Sequence, residues 1–363
     1  MQPGTILFAT NRVPINDARR FSDVGHSGAW DADNLACGLA EVTGTDIADA
    51  DSGTIQPLAP TSPAKFSDGQ IGPMLASAND VLVFIHGAAN DFNDAITRAA
   101  YNQAWLGNGG IGKQFDMIAY TWPGRDYDRA NLLGMVNLAG DYTDYRHDQA
   151  QAQGSAPYTA QFLRLMYALR QRIGSRKLHL LCHSMGNYAL GAGVQALFAQ
   201  SEPPPHQIFD EVILAAADEP NGTFDHTDSR RLADLWKLGR EITCYCSRAD
   251  ILMTVSRLAN GDTRLGYAGA LDQSNTGFYS TNVYEFVDCS GVNDSIGHGL
   301  LDSHQYYRES PRVRQDILGV LAGLDPADLK RLGYDKGANM YSLFPPKAAV
   351  PHDGRAGDGN SPG

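Results

Sequence analysis

Ser184 sits in the pentapeptide Cys182-His183-Ser184-Met185-Gly186, directly after the apolar run Leu178 to Leu181. A serine hydroxyl titrates far above neutrality, so it attacks a carbonyl only when a tight turn presents it beside a base and preorganised N–H donors. The spacing follows the G-x-S-x-G elbow, with Cys182 in the place of the first glycine. Cysteine is small enough for a packed strand end, and Gly186 leaves room for the chain to fold from strand into helix. A serine that merely caps a helix is the plain alternative, so the assignment depends on what surrounds it.

The other groups that acyl chemistry needs follow the same logic. His86 and Gly87 end the run DVLVFIHG, and Ala88, Ala89 and Asn90 lead into a helix whose first amides face an anion. The expected oxyanion donors are the N–H groups of Met185 and Ala88, with Ala89 as the second choice. An acid should follow a later strand, and Asp250, after EITCYCS, and Asp218, ending EVILAAAD, both satisfy the order Ser, Asp, His. Either aspartate could instead cap a helix. The base should come last, which leaves His298 in SIGHGL and His304 in LDSHQYY unseparated by spacing. His183 is expected to point into packing and is given no chemistry. Tyr120, Trp122 and Trp105 are candidates to line a pocket, and Asn90, Asp91 and Arg125 to recognise a polar substrate, against the plainer reading of core aromatics and helix-end polar groups.

These residues need a scaffold, and the chain alternates strand and helix. Apolar runs predict strands over 5–12, 80–87, 115–122, 177–184, 211–218, 241–247 and 283–290. Most are apolar on both faces, as strands of a covered parallel sheet are. Helices are expected over 90–106, 156–173, 187–200, 227–238 and 310–324. In the second of these Tyr158, Phe162, Leu165, Leu169 and Ile173 recur at three- and four-residue steps, giving one buried stripe. Such alternation implies an α/β class, a mostly parallel doubly wound sheet flanked by helices. Residues 13–79 read as long loops with a short strand or two. Residues 124–156 and 254–282 read as insertions that cover the site, within a single domain over 1–344, and 345–363 as a disordered tail.

Composition narrows the partners. A net charge of -12 and a pI near 5.2 offer no basic surplus to displace phosphate counterions, so nucleic acid is excluded as a general partner. No run approaches the roughly 18 apolar residues of a membrane span, and MQPGTILFATNR lacks a signal-peptide pattern, so a soluble cytoplasmic protein is expected. Five cysteines, Cys37, Cys182, Cys244, Cys246 and Cys289, read as buried free thiols. Their spacing suggests no metal site, and no organic cofactor is expected. From the serine chemistry above, not from composition, the expected partner is a small ester-like molecule; a homo-oligomer stays open.

The segments ILFATNR, VFIHGAANDFNDAITRAA, IAYTWPGR, LHLLCHSMGN, VILAAADEP, YCSRADILMTVSRLANGDTRLG and SHQYYRESPRVRQDI together resemble the α/β-hydrolases, and more narrowly a bacterial group of poorly characterised serine esterases or lipases. The resemblance spans most of residues 5–320 in order. It implies the α/β-hydrolase fold and a Ser-His-Asp triad of Ser184, His304 (the histidine ahead of Tyr306 and Tyr307) and Asp250. It also implies two-step acyl transfer on a carboxylic ester, lactone or thioester. An acyltransferase with the same triad, or a silent binding module on the same fold, are the alternatives. Two departures stand out: Cys182 replaces Ala or Gly, and Ala88 stands where a bulky residue is common, which widens the pocket. Assayed by initial rates on an ester panel, His304→Ala should remove nearly all turnover and His298→Ala should leave it; the reverse result reassigns the base.

Overall fold

A computed structural model of the protein describes residues 1–15, 20–26, 28–56, 58, 60–110, 112–125, 142–225, 231–297 and 303–345. The strands are β1 (Thr5–Thr10), β2 (Arg12–Ile15), β3 (Arg20–Gly25), β4 (Ala36–Thr43), β5 (Thr54–Ile55), β6 (Ser62–Pro63), β7 (Asp80–Ile85), β8 (Phe115–Thr121), β9 (Leu178–His183), β10 (Phe209–Ala215), β11 (Gly239–Cys246), β12 (Tyr284–Asp288), β13 (Gly333–Asp335) and β14 (Met340–Ser342). The main sheet runs β13-β14-β12-β11-β10-β9-β7-β8-β1-β4-β5, with β6 on β4, while β2 and β3 form a separate hairpin. From β12 across to β1 every neighbouring pair is parallel; β4 joins β1 antiparallel and β13 joins β14 antiparallel.

Burial on both sides explains the continuous apolar runs of the parallel strands. Leu7, Val81, Val83, Ile118, Leu180 and Val212 face one core, and the alternate residues Ile6, Phe8, Leu82, Phe84, Met117 and Ile213 face the other. The first core is covered by the helices Ala156–Arg170 and Gly186–Phe198 through Phe162, Met166, Leu190 and Val194. The second is covered by Phe92–Gly107 and Pro311–Ala322 through Phe92, Ile96, Ile317 and Leu321. Helix ends follow their sequence signals. Asp91 caps Phe92–Gly107 by accepting from Asp94 N, and Ser310 caps Pro311–Ala322, which ends at Gly323 in the left-handed region. The chain after β7 therefore turns to one face and the chain after β9 to the opposite face, which opens a crevice between these adjacent strand ends.

Every expected strand is present, most within two residues of the reading. Differences lie where periodicity is weak. Residues 13–79 hold more regular structure than loops with a short strand or two. They contain the eight-residue β4 and a helix, Asp68–Leu75, closed by a capping box between Ser67 and Gln70. The helix expected over 227–238 is a short Leu235–Leu238 turn after residues 231–234, with 226–230 outside the described residues. A helix, Thr143–Gly154, occupies the later part of 124–156, whose middle, 126–141, lies outside the described residues. The stretch 254–282 begins inside the helix Ile251–Asn260 and continues through Leu265–Ala268 and turns. The tail from 346 onward lies outside the described residues. All five cysteines are buried and free. Among the described residues no helix is long and apolar enough to cross a membrane.

The far edge of the sheet is held by charge. Arg331 reaches Asp316 on the last helix through Nε and Nη2 at 2.9 and 3.0 Å, and Glu285 on β12 at 2.8 Å, while Tyr245 donates to Asp316 at 2.7 Å. Burial of these acids is tolerable because the guanidinium answers both. Arg331→Met should strand two buried carboxylates and cost about 3–5 kcal/mol, read as a lowered midpoint in urea unfolding.

Candidate active site

The geometry of the elbow begins with β9, every residue of which is buried. Ser184 follows it at φ 54°, in the left-handed region that L-residues other than glycine avoid. Three main-chain bonds hold it there: Ser184 N donates to Ala215 O at 3.0 Å, and Ser184 O accepts from Asn187 N at 3.0 Å and Asp218 N at 3.1 Å. Gly186 is required by space, since a Cβ there would collide with the carbonyl oxygen of His86. Gly87 is required reciprocally, because its Cβ would lie 2.8 Å from Ser184 Cβ. The ends of β7 and β9 thus touch backbone to backbone. Ser184 is 8% exposed, and among the described residues its hydroxyl donates to no acceptor.

Asp250 caps the helix Ile251–Asn260 and does a second job. One carboxylate oxygen accepts from Met253 N at 3.0 Å; the other lies 2.7 Å from His304 Nδ1. Both side chains are buried. A carboxylate so placed sets the imidazole tautomer, leaving Nε2 free to accept a proton. The turn that carries His304 is anchored by the aromatic pair after it. Tyr306 donates to Tyr245 O at 2.9 Å and accepts from Ala216 N at 3.0 Å, while Tyr307 stacks on His183 at 4.4 Å between ring centroids. Ser303 Oγ accepts from Ile251 N at 3.3 Å, tying the same turn to the helix that Asp250 caps. His298 lies outside the described residues.

Asp218, the rival acid, is committed elsewhere. It takes Arg264 Nε at 2.8 Å, Tyr145 Oη at 3.0 Å and the Ser256 hydroxyl in a short bond. The neighbouring Glu219 pairs with Arg231 at 2.9 Å. These saturated bonds make Asp218 a clasp under the elbow, with its own N–H on Ser184 O.

The turn after β7 carries Ala89 at φ 54°, and its N–H donates to Asp148 at 3.0 Å. The amides of Ala88 and Met185 donate to no protein acceptor among the described residues. Asn90, fully buried, donates through Nδ2 to the carbonyls of Gly87 and Ala88 at 3.0 and 2.6 Å. Burial holds the His86 imidazole neutral, pushing its pKa down to about 3.

Several pocket expectations are corrected. Trp122 and Tyr120 are fully buried. Trp122 stacks flat on His86 at 5.0 Å and donates to its carbonyl at 2.8 Å, and Tyr120 bonds Asn11 at 3.2 Å and Thr159 at 3.1 Å, so neither offers a face to a substrate. Trp105 packs under Arg314 at 4.0 Å, and Asp91 is a helix cap. Asn90 shapes the turn rather than lining a pocket. Arg125 is part-exposed, 3.4 Å from Asp144, and keeps a solvent-facing guanidinium. His183 does point into packing, and its partners are notable: Nε2 lies 3.3 Å from His304 O and the two rings are 4.7 Å apart. Burial holds its pKa well below the usual histidine value. Arg12 and Asp148, absent from the sequence reading, prove to bracket the site. The only sequence signal was an arginine closing the run TILFATNR, after the apolar stretch Ile6 to Ala9.

The model of one protein family matches residues 71–320; its description is alpha/beta hydrolase of unknown function (DUF900). No curated protein and no solved structure matches the chain.

The two aspartates should respond oppositely to amide substitution. Asparagine caps a helix as well as aspartate does, so Asp250→Asn should keep the unfolding midpoint and lower serine reactivity by about 10³–10⁴-fold through the wrong imidazole tautomer. Asp218→Asn should leave Arg264 short of its counter-charge, costing about 3–5 kcal/mol, with reactivity per folded molecule retained. Urea unfolding and ester hydrolysis on both variants measure this directly.

Proposed function

The chain belongs to this family of alpha/beta hydrolases, and on that premise we propose that it is a serine hydrolase that cleaves a carboxylic ester through Ser184, His304 and Asp250. The observation that carries the proposal is the buried 2.7 Å contact between His304 Nδ1 and Asp250, made at the same sheet edge as the left-handed Ser184 elbow. Ser184 follows β9 directly, Asp250 lies in the loop after β11, and His304 lies in the turn just before the helix Tyr306–Glu309.

In this mechanism Ser184 Oγ bonds to the acyl carbon as its proton passes to His304 Nε2, and the carbonyl π electrons move onto oxygen. The N–H groups of Met185 and Ala88 stabilise that oxyanion. Collapse breaks the bond to the leaving oxygen, which takes the proton from His304 and departs as an alcohol. Water then attacks the acyl-enzyme, with His304 taking and returning the proton in the same way, and the acid leaves. Asp250 keeps Nδ1 protonated and stabilises the imidazolium without becoming protonated itself. No step requires a metal or an organic cofactor. Ester cleavage asks least of such a triad, since an ester carbonyl is less resonance-stabilised than an amide carbonyl and an amide nitrogen must be protonated before it can leave.

Activity-based labelling tests the proposal without knowledge of the substrate. A fluorophosphonate should modify the parent protein at Ser184 alone, by mass mapping, and should fail on Ser184→Ala. Modification of another residue, or a folded parent that stays unlabelled, overturns it.

A further inference from the structure

Arg12 and Asp148 are opposite charges buried beside the same two turns, and each engages main chain. The Arg12 guanidinium donates to Asn90 O at 2.9 Å, Gly124 O at 2.9 Å, Ser22 O at 3.2 Å and Thr121 Oγ1 at 2.8 Å, with the half-exposed Asp23 at 3.6 Å. Asp148 accepts Ala89 N at 3.0 Å and Arg125 N at 3.2 Å, with His147 Nδ1 at 3.5 Å. The turn after β7 and the turn after β8 therefore each give one carbonyl to the cation and one amide to the anion. Burying a carboxylate and a guanidinium is unfavourable unless their bonds are well made. Here both are directed at four backbone groups that must not move.

One of those backbone groups borders the expected oxyanion donor. The peptide between Gly87 and Ala88 carries the Ala88 N–H, and its carbonyl is held by Asn90 Nδ2 at 3.0 Å. The next peptide is held at both ends, the Ala88 carbonyl by Asn90 at 2.6 Å and the Ala89 N–H by Asp148. Ala89 adopts φ 54°, a conformation that alanine keeps only under such restraint. Arg12 fixes the Asn90 carbonyl that closes the turn.

We propose that Asp148 and Arg12 form a charge clamp that positions the Ala88 amide for oxyanion binding, neither of them touching the substrate. The proposal rests on the serine-hydrolase reading above and adds positioning residues to it. A donor held within a few tenths of an ångström before reaction costs no reorganisation at the transition state, which is where such a donor acts. The clamp also explains why Ala89 is the wrong donor: its N–H already has an anion. It further gives the junction of β1 and β2 a purpose, delivering Arg12 to both turns.

The experiment uses the full chain and two variants. Asp148→Asn keeps shape and one acceptor oxygen but sets an amide NH₂ against a backbone N–H; Arg12→Lys keeps charge but cannot reach carbonyls on both turns. Each is assayed with p-nitrophenyl acetate for kcat and KM, and with a trifluoromethyl ketone, which presents an oxyanion once bound to serine. Circular dichroism establishes that each is folded. The clamp requires kcat to fall by about 10- to 100-fold with KM within about twofold, and ketone affinity to weaken in parallel with kcat/KM. A purely structural role would lower thermal stability and leave ketone affinity per folded molecule unchanged. A folded variant of either kind that retains kcat and ketone affinity overturns the clamp alone. A parent protein that neither fluorophosphonate nor the ketone engages removes the serine-hydrolase reading and the clamp with it.

Discussion

Two strand ends approach each other so closely that no side chain fits between them, and the rest of the site follows from that contact. β7 and β9 are parallel neighbours, and the chain leaves them in opposite directions, toward the helix Phe92–Gly107 on one face and Gly186–Phe198 on the other. A crevice at such a switch point exists in any doubly wound sheet. Here its floor is main chain: Gly87 faces Ser184, Gly186 faces the His86 carbonyl, and either Cβ would push the turns apart. Ser184, at φ 54°, lies at this junction.

Around that floor, burial decides which charge does what. Asp218 and Asp250 both follow a strand of the same sheet, and both are buried. Asp218 meets a guanidinium, a phenol and a hydroxyl and becomes part of the wall. Asp250 meets one helix amide and one imidazole, so a carboxylate oxygen remains for His304. The histidines divide in the same way. His86 and His183 are kept neutral by desolvation and serve as flat packing surfaces, His86 for Trp122 and His183 for Tyr307. His304 has an anion on one nitrogen. The difference between a structural and a chemical role is a matter of partners in these cases, not of residue type.

The turn that carries His304 is located by aromatic packing. His304 belongs to a short turn far along the chain from Ser184. Tyr306 bridges the ends of β10 and β11, and Tyr307 lies on His183, the side chain that precedes Ser184. The strand ends that flank the elbow therefore also hold the turn that carries His304.

Strand and helix order, the covered parallel sheet and the serine elbow were all legible in the chain, because they arise from local patterns: apolar runs with period-two burial, capping residues such as Asp91 and Ser310, and glycine two residues after Ser184. β4 and the β13-β14 hairpin were not, since β4 joins the sheet through β1 and the hairpin through β12, partners distant in sequence. Residue types and order also narrowed the candidate triad to two aspartates and two histidines without separating them on spacing alone. Only the tertiary structure assigned Asp218 to Arg264 and brought Asp250 to His304, and only there did Trp122 and Tyr120 prove to be core. It alone placed Arg12 and Asp148 on the turn beside Ala88. The physical reason is the same throughout: a hydrophobic period is written in neighbouring residues, whereas the partner of a buried charge is chosen by which distant segments the sheet brings within hydrogen-bonding distance.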